Sequence, residues 1–500
     1  MTARPPNHHD SLDANDLTKF GYEQSLKRTM GPLASFSLAF SMISISTATF
    51  VLFSNFFTTV GGAGLWLWIP VGLGVLMIVL VYAHLAARIP ITGYAYQWNS
   101  RLIGPHYGWF SGWTALVAFI AGTASIAVAL ASIFGPEIWA SPTQTENLSL
   151  AGGAVLIAVI LNIISIKMTA LINNIGVAFE IIGSLGAAAI LIIGALFFFP
   201  HVQGFSVLTQ IGAFDGSKIT WVTFGAAALL PVYTLLGWEG SADLAEETKD
   251  PQRVTPYAMI RANYTSAAAS VIMIVAFMIA IPHGIKDLMA QSENPLIYIF
   301  RTQVGSAAAV ILEVIVFIAV FSCLLANMAV AVRVCYALAR DKMLPAAGLL
   351  SKVGEHTGTP IWCVVLVGIF AFGVNLLSSD VANNVISIVN VAYYLTYAFT
   401  MVAVLIGVKR KIIPEGLPGG FTLGRWLVPI SVIGLLFAVL VIADMTLPDS
   451  DHVAAEYSIG AEILGVIWYF AYVRHRLNAG SIGPALNAVE TPQGLPSAAE

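Results

Sequence analysis

Apolar residues in this chain fall into long, nearly unbroken runs separated by short polar stretches. Runs of about 20 residues are what an α-helix needs to cross roughly 30 Å of hydrocarbon at 1.5 Å per residue. They lie near 33–59, 65–87, 107–134, 148–167, 172–199, 220–240, 262–282, 306–334, 360–378, 384–408, 427–447 and 455–473, and they predict an all-α protein of about twelve transmembrane helices. A membrane β-barrel would show short alternating segments instead. The polar segment 1–32, with Pro5, Pro6, His8 and His9, lacks the short apolar core and cleavage site of a secretory signal, so the first run is expected to stay as an uncleaved anchor. From about Asn478 the chain is rich in Gly, Pro, Ala and Ser and reads as a short disordered tail.

Composition agrees with the pattern. Hydrophobic residues make up 58% of the 500 and charged residues 10%, and the mean hydropathy is +0.82. A soluble domain carries about 25% charged residues, so there is too little polar surface here for a soluble multi-domain enzyme or a disordered chain. The net charge of −4 offers no basic patch, which excludes a nucleic-acid binder. Cys323, Cys335 and Cys363 are odd in number and widely spaced, against a disulfide framework or zinc site; they read as small core or lipid-facing residues. The 23 Lys and Arg sort sharply between alternate loops. With both termini in the cytoplasm, only Lys218, Lys286 and Arg301 lie outside and the other twenty lie inside, a bias that supports the orientation and the helix count.

Four features exceed what a generic helix bundle needs. In helix 1, Ser41, Ser44, Ser46, Thr47 and Thr49 fall mid-span; hydroxyls can satisfy backbone groups freed where a membrane helix breaks, and they can also form a simple packing face. In helix 6, Pro231, Gly237 and Gly240 weaken the helix just where Glu239 places an acid at membrane depth. In helix 5, Glu180 has apolar neighbours on both sides, a setting that suits proton uptake and release as well as a structural hydrogen bond; Glu313 in helix 8 lies nearer the outer end and reads as structural. The loops Arg88–Trp98 and Arg333–Pro345 mix charge with aromatics, as inner gates or interfacial anchors do. The weak points in helices 1 and 6 are about 190 residues apart, at corresponding places in two five-helix halves, the mark of an inverted-repeat secondary transporter with substrate at the breaks.

The segments Pro90–Trp98, Asn162–Asn174, Gly237–Pro256, Arg333–Pro345 and Gly420–Arg425 occur in the order of motifs in the amino acid–polyamine–organocation permeases. Over about residues 30–475 the chain resembles that superfamily, and within it the amino acid/choline transporter branch. The resemblance implies a LeuT-type 5+5 inverted repeat (33–199 and 220–408) with two extra helices (427–473), all within a permease domain, 33–475, that is followed by a cytoplasmic tail, 476–500. It implies an unwound part of helix 1 at Ser44, Ile45, Ser46, Thr47 and Ala48, and a break in helix 6 at Tyr233, Thr234, Leu235, Leu236 and Gly237. Glu239 matches a glutamate tied to proton-linked gating, and Glu180 matches a position where some proton-coupled relatives carry a lysine. Thr123, Asn327 and Tyr397 are further lumen candidates. Helix 1 departs from the pattern by lacking the glycines that expose amides to a substrate carboxylate; Ala48 stands where glycine is common, Tyr94 replaces the second glycine after Pro90, and Glu180 reverses the lysine's charge.

The expected function is import of an amino acid or related amine by alternating access across a bacterial-type inner membrane, with Glu180 or Glu239 carrying a proton. Polyamine or choline-type uptake, exchange, and sodium symport with Ser322 and the helix 1 hydroxyls as ligands are the alternatives. An enzyme would need a cluster of ligating or acid–base residues, whereas His84, His106, His201, His283, His356 and His452 are scattered. A channel or receptor would show pore repeats or a large ligand domain, and the chain has neither. No catalytic residue, metal or cofactor is expected; the partners are the small-molecule substrate, protons and the lipid bilayer.

Overall fold

A computed structural model describes residues 17–486 apart from 140, 165, 213–217, 292, 356, 377–380 and 448–451. Most of the N-terminal segment, the last part of the tail, and His356 therefore lie outside the described residues. Among those described, the fold is helical, and one parallel β-bridge joins Met30 to Thr248.

The first apolar run is two half-helices, α1 (Pro32–Ile43) and α2 (Ile45–Val60). After α3 (Trp68–Ala86), a short buried helix α4 (Tyr94–Leu102) leads into α5 (Pro105–Ile138). Two long helices follow, α6 (Gln144–Ile164) and α7 (Ile166–Phe197). The sixth run is again divided, into α8 (Trp221–Thr234) and a single turn, α9 (Gly240–Asp243). Next come α10 (Pro251–Ile279), the short α11 (Ile285–Met289) and α12 (Pro295–Val304), and α13 (Ser306–Arg340). The chain ends with α14 (Ala347–Leu350), α15 (Ile361–Asn375), α16 (Val381–Arg410), α17 (Leu427–Thr446), α18 (His452–Trp468) and α19 (Arg474–Asn478). Proline opens α1, α5, α10 and α12, where its missing N–H costs no hydrogen bond and its fixed φ suits the first turn.

Nine helical stretches among the described residues, α1–α2 counted as one, have the length and hydropathy to cross a membrane. The remaining three runs form α8, α15 and α18, with 14, 15 and 17 residues. At 1.5 Å per residue α8 reaches only about 21 Å, short of the hydrocarbon thickness. It is short because the chain leaves the helix at Leu235.

Burial sorts the helices into an inner set and a rim. The most apolar stretch of α1–α2 is 89% buried and that of α5 is 83% buried, against 28% for α6 and for α17. The rim helices turn Leu156, Ile157, Ile160, Leu436 and Leu440 outward, as a lipid-facing surface requires. Inside, α2 packs on α8, α1 on α9 and α10, and α5, α7, α13 and α16 enclose the two divided helices. All three cysteines are buried and free.

Candidate functional site

The break in the first helix is narrower than the sequence suggests. Only Ser44 leaves the helix, at φ 33° and ψ 88°, and the helix restarts at Ile45. Ser44 makes this possible by capping the new helix with its own side chain: its Oγ accepts from the Thr47 amide at 3.3 Å and lies 2.6 Å from Thr47 Oγ1. Ile45, Ser46, Thr47 and Ala48, expected to be unwound, are instead the first turn of α2. The carboxylate of Glu180, on α7, closes the gap. Its Oε1 accepts from the Ser46 amide and from Ser44 Oγ, each at 3.1 Å, and Ser46 Oγ lies 3.3 Å from Ser184 Oγ. A negative group at a helix N-terminus meets free amides and the positive end of the macrodipole.

The second break runs from Leu235 to Glu239, two residues later than expected: Tyr233 and Thr234, expected in the break, are the last residues of α8, and only Leu235, Leu236 and Gly237 fall where they were placed. Gly237 sits at φ +100°, and a Cβ there would lie 2.8 Å from the Met42 backbone carbon. Only glycine combines that conformation with such close contact between the two breaks. A further tie, Ser35 Oγ to Ser241 Oγ at 2.6 Å, joins α1 to α9. Glu239 is fully buried and faces an aromatic group: Tyr397 Oη donates to Oε2 at 3.0 Å, and Trp238 stacks on the Tyr397 ring with centroids 5.3 Å apart. Oε1 of Glu239 accepts no hydrogen bond among the described residues.

Between the breaks lies a cavity of about 30 Å³, enough for about two waters. Of the predicted residues, Ser44, Thr47, Tyr233, Leu236, Gly237 and Asn327 line it. The others are not in its lining. Ser46 turns to Glu180, Ile45 and Ala48 are buried in the first turn of α2, Thr234 bonds back to the Leu230 carbonyl, Leu235 is buried, and Tyr397 serves Glu239. Thr123 stands behind the wall and accepts from Asn327 Nδ2 at 2.8 Å. Met42, Ile43, Gly122, Ile126, Cys323, Val389 and Tyr393 complete the lining and were missed. Helical spacing offered a signal for two of them: Cys323 is four residues before Asn327 and Tyr393 four before Tyr397, so each shares a face with a predicted residue. Tyr393 Oη donates to Asn327 Oδ1 at 3.2 Å, and Tyr233 Oη lies 2.9 Å from Ser125 Oγ, linking α8 to α5. Ser322, raised as a sodium ligand, faces the Ile172 carbonyl at 3.5 Å instead.

The face that carries the N-terminal residues is sealed by charge. Arg333 Nε donates to Glu247 Oε1 at 2.7 Å and Nη2 to Oε2 at 3.3 Å, with the side chains 3% and 0% exposed. Arg340 pairs with Glu246 at 3.1 Å, and the same Glu246 accepts the Thr92 amide. Asp243 accepts the Gly93 amide at 2.7 Å. Residues 17–31 cross this cluster as a strap. Thr29 and Met30 amides donate to the Glu247 carbonyl, Lys249 donates back to Met30, and Tyr22 Oη donates to Asp341. Tyr96 and Gln97 donate to the same carboxylate. Burial pushes Asp341 above the usual carboxylate range despite these donors and Arg340, and it pushes the Tyr22 hydroxyl up to about 12, with the Asp341 charge adding to the shift. The segments Arg88–Trp98 and Arg333–Pro345 thus meet, but neither is simply the loop expected: Arg333–Arg340 is the end of α13 and Tyr94–Trp98 the start of α4. On the opposite face, Arg301 holds Glu313 and Glu293 at 2.8 Å and Glu137 at 3.4 Å, which gives Glu313 a structural partner.

Two divided helices meeting at a buried cavity, inside a bundle with an apolar rim, define a membrane carrier. No group of three or more His, Cys, Asp or Glu among the described residues is placed to hold a metal ion. A family profile described as amino acid permease matches residues 30–468, and the chain belongs to that family, consistent with the amino acid–polyamine–organocation superfamily. It is an integral membrane transporter and not an enzyme. Similar proteins include amino-acid permease BAT1 of Arabidopsis thaliana, 25% identical over 88% of this chain and 89% of that protein. The rice homolog of BAT1 is 25% identical over 87% of each chain. Amino-acid permease 2 of Neurospora crassa is 24% identical over 78% of this chain and 74% of that one.

Proposed function

We propose that the protein moves an amino acid or a related amine across its membrane by alternating access, coupled to protons. The observation that carries this reading is the convergence of the two helix breaks on one cavity, each break beside a buried carboxylate, Glu180 at the first and Glu239 at the second. The names of the relatives support an amino acid as cargo. In this reading the twelve runs are twelve spans in a LeuT-type 5+5 arrangement, both termini are cytoplasmic, and the membrane is a bacterial-type inner membrane. The charge-sealed face is then the inner gate, and the contracted cavity opens to one side at a time. Ser44, Thr47, Tyr233, Leu236, Gly237 and Asn327 contact the substrate. Protonation of Glu239 frees Tyr397, and protonation of Glu180 loosens its hold on α2; either event changes how the halves of a divided helix sit.

The test is transport by purified protein in liposomes. Counterflow of labelled amino acids identifies the substrate, and an inward-acidic gradient should then drive its export, an outward-acidic one its accumulation. Replacing sodium with potassium should leave accumulation intact. Counterflow without gradient-driven accumulation would point to exchange, sodium dependence would point to sodium symport, and no counterflow of any amino acid or amine would end the transport reading.

A further inference from the structure

We propose that the central cavity recognises its substrate through the ammonium group and does not read an α-carboxylate, because Glu180 already occupies the anion seat at the first helix break. The inference rests on the transport reading above and deepens it to a substrate class.

A divided membrane helix offers two unlike ends. The N-terminal end of its second half presents free amides and about half a positive charge, and the C-terminal end of its first half presents free carbonyls and about half a negative charge. An amino acid could use both. In this protein the positive end at α2 is already filled. The Ser46 amide donates to Glu180 at 3.1 Å, the Thr47 amide to Ser44 Oγ at 3.3 Å, and the Ala48 amide to the Ser44 carbonyl at 3.4 Å. Glu180 and Ser44 are each 1% exposed, so this anchorage is dry and a substrate carboxylate would have to displace a buried charge to enter.

The other positive end is only a four-residue turn, α9, which presents no comparable seat. What the cavity meets instead is the negative ends, where the Met42 carbonyl accepts, among the described residues, only from a thiol, Cys323 Sγ at 3.6 Å. The last residues of α1, Met42 and Ile43, line it, and so do Leu236 and Gly237 just beyond α8. The side chains in the lining carry hydroxyls, an amide, a thiol and apolar groups, with no Lys or Arg among them. Behind the second break, Glu239 Oε1 is buried without a hydrogen bond among the described residues. Carbonyl ends, neutral acceptors and two nearby carboxylates make a site for an organic ammonium ion.

The experiment compares three ligands that share a side chain, as competitors of counterflow and as stabilisers of the detergent-purified protein against heat: an amino acid, the amine left by its decarboxylation, and its N-acetyl derivative. The sets are alanine, ethylamine and N-acetylalanine; phenylalanine, phenethylamine and N-acetylphenylalanine; arginine, agmatine and N-acetylarginine. In the set matching the transported substrate, the amine should compete within about tenfold of the amino acid. The N-acetyl derivative should be at least about 100-fold weaker, the loss of two charge-assisted hydrogen bonds. Glu180→Ala empties the seat and should shift preference at least about tenfold toward the amino acid over its amine. Glu180→Gln still accepts the Ser46 amide and should keep the wild-type preference even where it loses pH dependence. The inference is overturned by an N-acetyl derivative that competes as well as the amino acid, by an amine more than 100-fold weaker, or by an unchanged preference in a folded Glu180→Ala. Should Glu180→Ala fail to fold, the three-ligand comparison on the wild-type protein decides alone. Absence of both counterflow and stabilisation with every amino acid and amine, beyond these three sets, overturns the transport reading itself.

Discussion

Replacing Arg333 by methionine removes one half of an ion pair that is out of water on both sides. Its two hydrogen bonds to Glu247, at 2.7 and 3.3 Å, join side chains 3% and 0% exposed. Leaving Glu247 charged and alone in that setting costs about 3–5 kcal/mol. Opening of the face returns the carboxylate to water, so the cost falls on the closed state, and the open fraction should rise by roughly a hundred- to several-thousand-fold. Cys323 reports the change, since it lines the cavity and is buried when closed. In a Cys335→Ala, Cys363→Ala background it is the single thiol, and its rate of maleimide labelling should follow the open fraction. Arg333→Met should raise that rate by about two orders of magnitude. The double change Arg333→Met, Glu247→Met should return it most of the way, because a buried ion pair can be exchanged for apolar side chains at little loss. An unchanged rate in a folded Arg333→Met, or a double variant that labels faster than the single one, would refute the reasoning.

Gly237→Ala should cost about 1–3 kcal/mol from its positive φ alone, plus the contact with Met42, and should be read as a lower thermal unfolding midpoint with uptake largely lost. Glu239→Gln and Glu180→Gln should separate coupling from exchange: the variant of the coupling acid keeps counterflow and loses proton-driven accumulation, and full retention of pH dependence in either variant clears that residue. Asp341 has a folded-state pKa above its unfolded one, so folding favours its protonated form. Its contribution is largest below the ordinary carboxylate value, near 3.9, and is lost as pH rises through the raised value. The difference in stability between wild type and Asp341→Asn should therefore fall as pH rises from about 4, and a flat difference in pH-dependent unfolding would contradict the assignment. Tyr22→Phe, which removes the donor at 2.9 Å, should speed Cys323 labelling by less than Arg333→Met does.

Residues whose job is local were the ones that could be read. Long apolar runs announced their helices, since lipid demands them along their whole length, and Gly237 with Pro231 marked the second break through intrinsic backbone preferences. The hydroxyls of helix 1 marked the first break but overstated it, because Ser44 alone takes the turn and its own side chain restarts the helix. The cavity lining was harder to read. A helix deep in a bundle is apolar all round, so the 3.6-residue period that identifies the inner face of a surface helix is faint, and Tyr393, Val389 and Cys323 look like their lipid-facing neighbours. The buried helix α4 was taken as loop for the opposite reason: Gln97, Asn99 and Ser100 are polar yet buried, held by partners such as Asp341 and Thr400. The strap is recorded in pairings 75 to 319 residues apart, and periodicity cannot report those.

That strap has a consequence for how the molecule is made. Leu17 to Gly31 leaves the ribosome before the residues it docks on: Gln97 and Arg101 follow soon, but Thr248 on one side and Asp341 on the other are translated much later. Tyr22 waits for a partner 319 residues downstream, roughly 15–60 s at ordinary rates of synthesis. Throughout that interval the cover on this face lacks its Asp341 anchor. Docking of the strap is therefore completed late in assembly, although the strap is made before every residue it docks on.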